Sequence, residues 1–241
     1  MTKSLGLSVM RIGRQVAVGG WVALLLAGSA AAQDGAKDPY EGFNRSMFAV
    51  HEAIDKYAAK PVAQVYDNVA PLPVKMGVGN FFGNAGDLWI GVNNAMQGKF
   101  GSAGIDLGRL LINSTVGIFG LFDVASELGL EKHDEDFGQT LAVWGVSDGP
   151  YFFWPVIGPR YLRDTGGWGV DVLVDPIATT RPVSARNGMA ALRFVDIRAG
   201  LLPADKVVEE AALDKYAYIR AAYQQRRRNQ IFDGRPPRLD D

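Results

Sequence analysis

The chain has 241 residues, 48% of them hydrophobic and 21% charged, with a formal net charge of −1. That is enough apolar material for one substantial core, and it leaves no basic footprint for nucleic acid. The sequence contains no cysteine, which excludes disulfides, thiolate catalysis, cysteine-based metal sites and acylation at a lipoprotein cysteine within these residues.

Residues 1–32 read as a signal peptide. Lys3, Arg11 and Arg14 precede an apolar run, Val16 to Ala27, that ends in Ser29-Ala30-Ala31-Ala32, the small residues of a cleavage site. The segment holds three of the 25 basic residues and none of the 26 acidic ones, so the remaining 209 residues carry −4. Residues 33–241 are expected to form one domain.

Phe43, Met47, Val50, Ile54 and Tyr57 recur at three and four residues, the spacing of an amphipathic helix that Pro61 should stop at Lys60. Pro61 to Val69 reads as a second short helix, ended by Pro71 and Pro73. Between Met76 and Gly129, a stretch rich in Gly and Asn, the pattern predicts helices over Asp87–Gln97, Ser102–Asn113 and Phe122–Leu128. Gly101, Gly104 and Gly108 lie on one side of the second, a spacing that lets helix backbones approach closely in membranes or in a soluble bundle. The longest uncharged run after residue 32, Leu110 to Phe122, has 13 residues. As a helix it reaches ~20 Å against a hydrocarbon thickness of ~30 Å, so it could enter one leaflet or lie at the interface but not span.

Gly145-Val146-Ser147-Asp148-Gly149 spells the G-x-S-x-G pattern of serine hydrolases, with Leu141 to Val146 as the expected preceding strand. The required following helix is missing, because Pro150, Pro155 and Pro159 punctuate the next stretch. His51 and His133, the only histidines, both precede the serine. A Ser147 nucleophile is therefore the lesser reading, and a turn the greater. Asp136-Phe137-Gly138 lacks the rest of a kinase signature. The cluster His133, Asp134, Glu135 and Asp136 has no metal-ligand spacing and reads as a solvated acidic turn. Residues 204–229 are expected to form a C-terminal helix with Val208, Ala212, Tyr216, Ile219 and Tyr223 on one side, Arg226 to Arg228 at its basic end and residues 230–241 as a polar tail.

Five stretches in this order, "DPYEGFNRSMF" (38–48), "NFFGN" (80–84), "NAMQGK" (94–99), "EDFGQTLAVWGVSDGPYFFWPVIGP" (135–159) and "RDTGG" (163–167), resemble the MlaA (VacJ) family. The resemblance covers nearly all of the chain after residue 32. It implies a mostly α, disc-like helical domain with short irregular or hairpin segments and an amphipathic channel, seated in the periplasm-facing leaflet of the outer membrane, with soluble periplasmic residence as the alternative. It implies removal of mislocalised phospholipids from the outer leaflet, delivery to a periplasmic phospholipid carrier, association with a trimeric porin, no catalysis, and no cofactor or metal. The alternatives are a periplasmic serine hydrolase and a structural envelope protein that moves no lipid. By the same resemblance Trp144, Gly145, Ser147, Asp148, Gly149, Pro150 and Tyr151 are candidates for a bend or hinge beside the channel, and Asn80, Phe81 and Phe82 for its lining. The last helix is expected to face the periplasm and meet the carrier. The absence of a cysteine departs from the family's lipoprotein pattern and leaves membrane attachment to the fold.

Overall fold

The computed structural model describes residues 38–237. The expected signal peptide and the end of the polar tail lie outside them. The described chain is predominantly helical, with one two-stranded hairpin, as the mostly α expectation holds.

Helix α1 (Glu41–Ile54) passes through one π-helical turn, Asp55–Ala59, directly into α2 (Lys60–Val69). Pro61 was expected to stop the first helix. Instead the Lys60 N–H reaches the carbonyl of Asp55, five residues back, and the widened turn gives the proline ring room where it would otherwise meet a carbonyl. Pro71 and Pro73 begin the next helix as well as ending α2, because the first turn needs no N–H from them.

Helix α3 (Leu72–Met96) is therefore much longer than the expected 87–97. Its C-terminus is fixed by Gly98 at φ 80°. Gly98 N–H bonds the Ala95 carbonyl at 3.0 Å and Lys99 N–H the Asn94 carbonyl at 2.8 Å, the paired closure of a Schellman motif.

Helix α4 (Phe100–Thr115) packs along α3 in the most extensive helix–helix contact among the described residues, Gly91 lying against Ala103 and Asp106. The stripe Gly101, Gly104 and Gly108 does not make that contact, since a Cβ at any of the three would meet nothing within 4 Å. It faces outward. The inner face of α4 is Ala103, Asp106, Arg109 and Asn113, while Leu107 and Leu111 point out. The helix is inverted relative to one in a water-soluble bundle, which turns its apolar stripe to the core.

Short α5 (Val124–Glu127) and α6 (Phe137–Val143) follow, each capped by an aspartate: Asp123 accepts from Ser126 N–H at 3.2 Å and Asp136 from Gln139 N–H at 2.8 Å. The strand expected at 141–146 is the end of α6. Gly145, at φ 89°, closes this helix by a second Schellman pair, with its own N–H on Ala142 and that of Val146 on Leu141.

Strands β1 (Tyr151–Trp154) and β2 (Gly158–Tyr161) pair antiparallel with Tyr151 opposite Tyr161 and Trp154 opposite Gly158. The Asn44 side chain completes the free edge of β1 in place of a third strand: it donates to the Tyr151 carbonyl at 3.1 Å and accepts from the Phe153 N–H at 2.9 Å. Helices α7 (Leu162–Val174), α8 (Val183–Ala211) and α9 (Lys215–Ile231) complete the fold.

The single helix expected over 204–229 is divided. Ala212 is extended and Asp214 caps a new start by accepting from Ala217 N–H at 3.1 Å. Of the expected stripe, Tyr216, Ile219 and Tyr223 belong to α9 and join Phe48, Tyr151 and Phe153 in an aromatic core. Val208 belongs to α8 and Ala212 to the break.

Candidate functional site

The sequence candidates fall at two places along α3. Fifteen residues separate Phe81 from Met96, a rise of ~22 Å, and the two groups are not brought together.

The first group is the loop after α6. Trp144 donates its indole N–H to the Met96 carbonyl at 3.1 Å and sets its half-exposed ring edge-on to Phe137. Arg163 pins the loop: its guanidinium holds the Asp148 carboxylate at 2.5 Å and the Val146 carbonyl at 3.3 Å, while its N–H takes the Asp148 carbonyl at 3.1 Å. The Pro150 carbonyl accepts from Leu162 N–H at 2.9 Å. Gly149 stands at φ 68°, and a Cβ there would lie 3.1 Å from that of Leu162. Ser147 is exposed. Both imidazoles are engaged away from it, His51 accepting from Val156 N–H at 3.1 Å and His133 lying 2.7 Å from Asp106. Tyr151 is 4% exposed and packs inside the aromatic core, where β1 begins.

The second group borders an apolar cleft. Val78, Phe81, Phe82, Leu121, Met189 and Leu192 line a cavity of about 250 Å³ between α3, α8 and the loop after α4. Leu192 also lines a neighbouring groove of about 390 Å³ between α2 and α8, walled by Val62, Val65, Val69 and Val195. Asn80 is not a lining residue there. Its amide donates to the Leu121 carbonyl at 3.1 Å and so fixes the cavity wall. The polar edge comes from α8, where the Arg193 guanidinium sits 5.9 Å from the Phe82 ring centroid and pairs with Asp175, and Asp196 accepts from the Tyr66 hydroxyl at 2.9 Å. The contribution of α8 went unread in the sequence because that helix has no single apolar face.

Between these places the interior is polar. Asn94 donates to Asp106 at 2.7 Å, and Arg109 forks onto Asp123 at 2.9 and 3.0 Å and reaches Ser126. Thr140 donates to Asn93 at 2.7 Å. The expected solvated acidic turn is only partly so, for Asp134 is exposed while the next two residues turn into this interior. Glu135 is buried against Gln97 and Lys99, and Asp136 holds Arg227 at 2.6 and 2.8 Å. Arg227, read as a helix-end charge, is buried and also bonds Asp164 at 2.8 Å. Burial pushes the Asp136 carboxyl up, but the bonds and charge of Arg227 overcome this and hold it below the ordinary carboxylate value. Asp87 goes the other way: burial raises it despite its ion pair with Lys132. Among the described residues no group of histidine and carboxylate side chains is arranged to hold a metal ion.

Parts of the outside are apolar. Leu107, Leu111, Val116, Phe119 and Phe122 are exposed along α4 and its loop, as are Val62, Val65 and Val69 on α2 and Leu173 on α7. Among the described residues no helix is long and apolar enough to cross a membrane.

Fold and site together define a predominantly helical protein with an ionic and amide-rich interior, large apolar patches on its exterior and an apolar cleft with a charged edge. The chain belongs to the MlaA lipoprotein family, whose model matches residues 36–230. It is 34% identical over 227 residues to the intermembrane phospholipid transport system lipoprotein MlaA of Shigella flexneri, covering 92% of this chain and 87% of that one, and the same figure and span hold for MlaA of Escherichia coli strain K12 up to the shares covered. A protein of Rickettsia typhi without an assigned role is 35% identical over 77% of this chain and 74% of its own. A solved structure described as the structural basis for maintenance of bacterial outer membrane lipid asymmetry superposes with a TM-score of 0.72 at 31% identity, over 83% of this chain and all of the other.

Proposed function

We propose that this chain is the phospholipid-handling component of an intermembrane transport system at the outer membrane, taking phospholipids from the outer leaflet and passing them to a periplasmic lipid carrier. The observation that carries the reading is the inversion of α4, with Asp106, Arg109 and Asn113 buried and Leu107 and Leu111 exposed. Such a helix is stable where its surroundings are lipid rather than water, and a buried polar interior with an amphipathic cleft suits a molecule whose headgroup must not be left desolvated. Relatives at 34% identity over 92% of the chain carry the name of such a system.

The domain would span residues 33–241, exported by residues 1–32 and seated as a disc in the periplasm-facing leaflet with its apolar faces in lipid. A trimeric porin would share that apolar surface. The cleft near Phe81 and Phe82 would bind the acyl chains, and the loop from Trp144 to Pro150, hinged at Gly145 and Gly149, would bend beside the path. No bond is made or broken in this reading, so Ser147 has no chemical task.

The test is deletion of the gene followed by measurement of phospholipid in the outer leaflet, with detergent sensitivity as a second readout. Accumulation reversed by the wild-type chain is expected. An unchanged leaflet would count against transport and favour a structural envelope role, whereas loss of function in a folded Ser147→Ala variant would revive the hydrolase.

A further inference from the structure

The loop between α4 and α5 is strained, rigid and apolar. Ile118, Phe119 and Gly120 take φ of 52°, 54° and 83°, three successive left-handed residues of which only one is glycine. A β-branched side chain in that region is a genuine outlier, and it persists only where the surroundings leave no alternative. Here they leave none. Gly120 N–H bonds the Asn113 carbonyl at 2.7 Å, Phe119 N–H the Ser114 carbonyl at 3.1 Å, and Phe122 N–H the Gly117 carbonyl at 2.9 Å. A Cβ on Gly117 would stand 2.2 Å from the Phe122 carbonyl oxygen, and one on Gly120 would stand 2.6 Å from Asn84. Asn80 ties the Leu121 carbonyl to α3.

What this clamped backbone presents is apolar. Val116, Ile118, Phe119 and Phe122 are exposed, Phe119 by 76%, and they continue the outward stripe of Leu107 and Leu111. Leu121 also lines the cavity with Phe81, Phe82 and Leu192. The rim of that cavity carries charges of both signs, Arg193 over Phe82 and its partner Asp175. A phospholipid has the same division: two apolar chains and, for phosphatidylethanolamine, a phosphate and an ammonium.

We infer that the loop 116–122 is the acyl-side lip of the cleft, inserted into the leaflet as a rigid wedge, and that one acyl chain of a membrane phospholipid occupies the cavity behind Leu121 with its headgroup at the Arg193–Asp175 edge. The inference rests on the phospholipid-handling reading above and adds where the chain enters. An exposed aromatic tip in water would expose apolar surface at a cost, while the same tip among acyl chains replaces lipid contacts with equivalent ones. Strain that fixes the tip in advance leaves less disorder to lose when a chain docks.

The absence of native cysteine permits single-site labelling. Phe119→Cys and, as an exposed polar control, Glu131→Cys carry a nitroxide on the full chain in vesicles of phosphatidylethanolamine and phosphatidylglycerol. The label at 119 should be several-fold more accessible to lipid-dissolved oxygen than to a water-soluble nickel chelate, with the reverse at 131. Matching profiles at the two positions would overturn the insertion. A phosphatidylethanolamine with a mid-chain diazirine should cross-link to peptides containing Phe81–Phe82 or Met189–Leu192, and Leu192→Trp, or the milder Leu192→Phe should the first fail to fold, should reduce the yield several-fold. Cross-linking spread over the exterior and unaffected by a folded Leu192 variant would overturn the cavity assignment. Deletion and complementation test transport separately: a chain that restores leaflet composition yet shows an aqueous 119 label leaves transport standing and removes the lip.

Discussion

The two ends of the molecule are built on opposite rules. Where α1, the hairpin and α9 meet, Phe48, Tyr151, Phe153 and Tyr216 pack in a buried aromatic cluster, with Phe48 and Phe153 edge to face at 5.2 Å. Where α3, α4, α5 and α6 meet, the fully buried side chains include Arg109, Asn93, Asn94, Asp87 and Asp106. The first end resembles the core of any water-soluble domain. In the second, the hydrogen bonds lie inside and the leucines outside, so burial of apolar surface from water cannot be its main source of cohesion. The difference teaches that one chain can combine two modes of cohesion, with the hairpin end a conventional core and the helical half stabilised by directed polar contacts.

Substitutions sharpen this contrast. Arg109→Met removes the partner of Asp123 and the nearest guanidinium to Asp87, and a broken buried ion pair of this kind costs about 3–5 kcal/mol. The midpoint of chemical unfolding in detergent should fall accordingly, and an unchanged midpoint would break the claim that polar pairs hold the helical half. Phe153→Ala, at the other end, should cost about 3–5 kcal/mol through its cavity, and local hydrogen exchange should quicken first around the hairpin. Leu111→Asp touches neither core, since Leu111 is 66% exposed. In water it would be nearly silent, whereas a lipid-facing aspartate opposes insertion by about 2.5–3.5 kcal/mol. Membrane fractionation should therefore change while unfolding in detergent does not; retention in membranes would place that face in water.

Acid should act on the junction between the ends. Asp136 has its carboxyl held below the ordinary value of 3.8 by Arg227. Its contribution is present above that value and lost as pH falls through the folded-state one, so the stability of the wild type should drop below about pH 4 more steeply than that of Asp136→Asn. Equal acid slopes would show that the Arg227 contact does not couple to folding. The smallest effect is expected at the bend: Ser147→Ala should stay within about 0.5 kcal/mol, as surface substitutions do. Gly145→Val, by contrast, forces a β-branched residue into the left-handed region at a cost of about 1–2 kcal/mol or more, read as a shift in melting temperature.

Much of the fold was legible because its punctuation is local. Gly98 closes the helix expected to end at Gln97 by a mechanism confined to six residues, whereas the equally local signals at Asp136, Gly145 and Asp214 were passed over, α6 being read as a turn and a strand and α8 with α9 as one helix. Pro61 misled because the π-helical turn ahead of it is an adjustment that no composition announces. The glycine stripe of α4 misled for a related reason: spacing shows that three glycines share a face, but not whether that face meets a helix or the surroundings. At the candidate site Phe81 and Phe82 were found from their motif, while Leu121, Met189 and Leu192 were not, since they come from distant segments joined only in three dimensions. Asp136 was read as hydrated, like its exposed neighbour Asp134, because its counter-ion Arg227 lies about ninety residues away.

The sequence by itself determined the helical class, the turn at Trp144 to Tyr151, the lack of cysteine chemistry and, through five separated stretches, the family. These depend on short-range geometry and on residue identity. Only the tertiary structure decided which face of each helix is inner, that Asp136, Asp164 and Arg227 form one buried junction, and that an apolar cleft opens beside a strained loop. Periodicity divides a helix into two faces but does not say which solvent either one meets, and an inward polar face becomes recognisable only when its partners from other helices are in place.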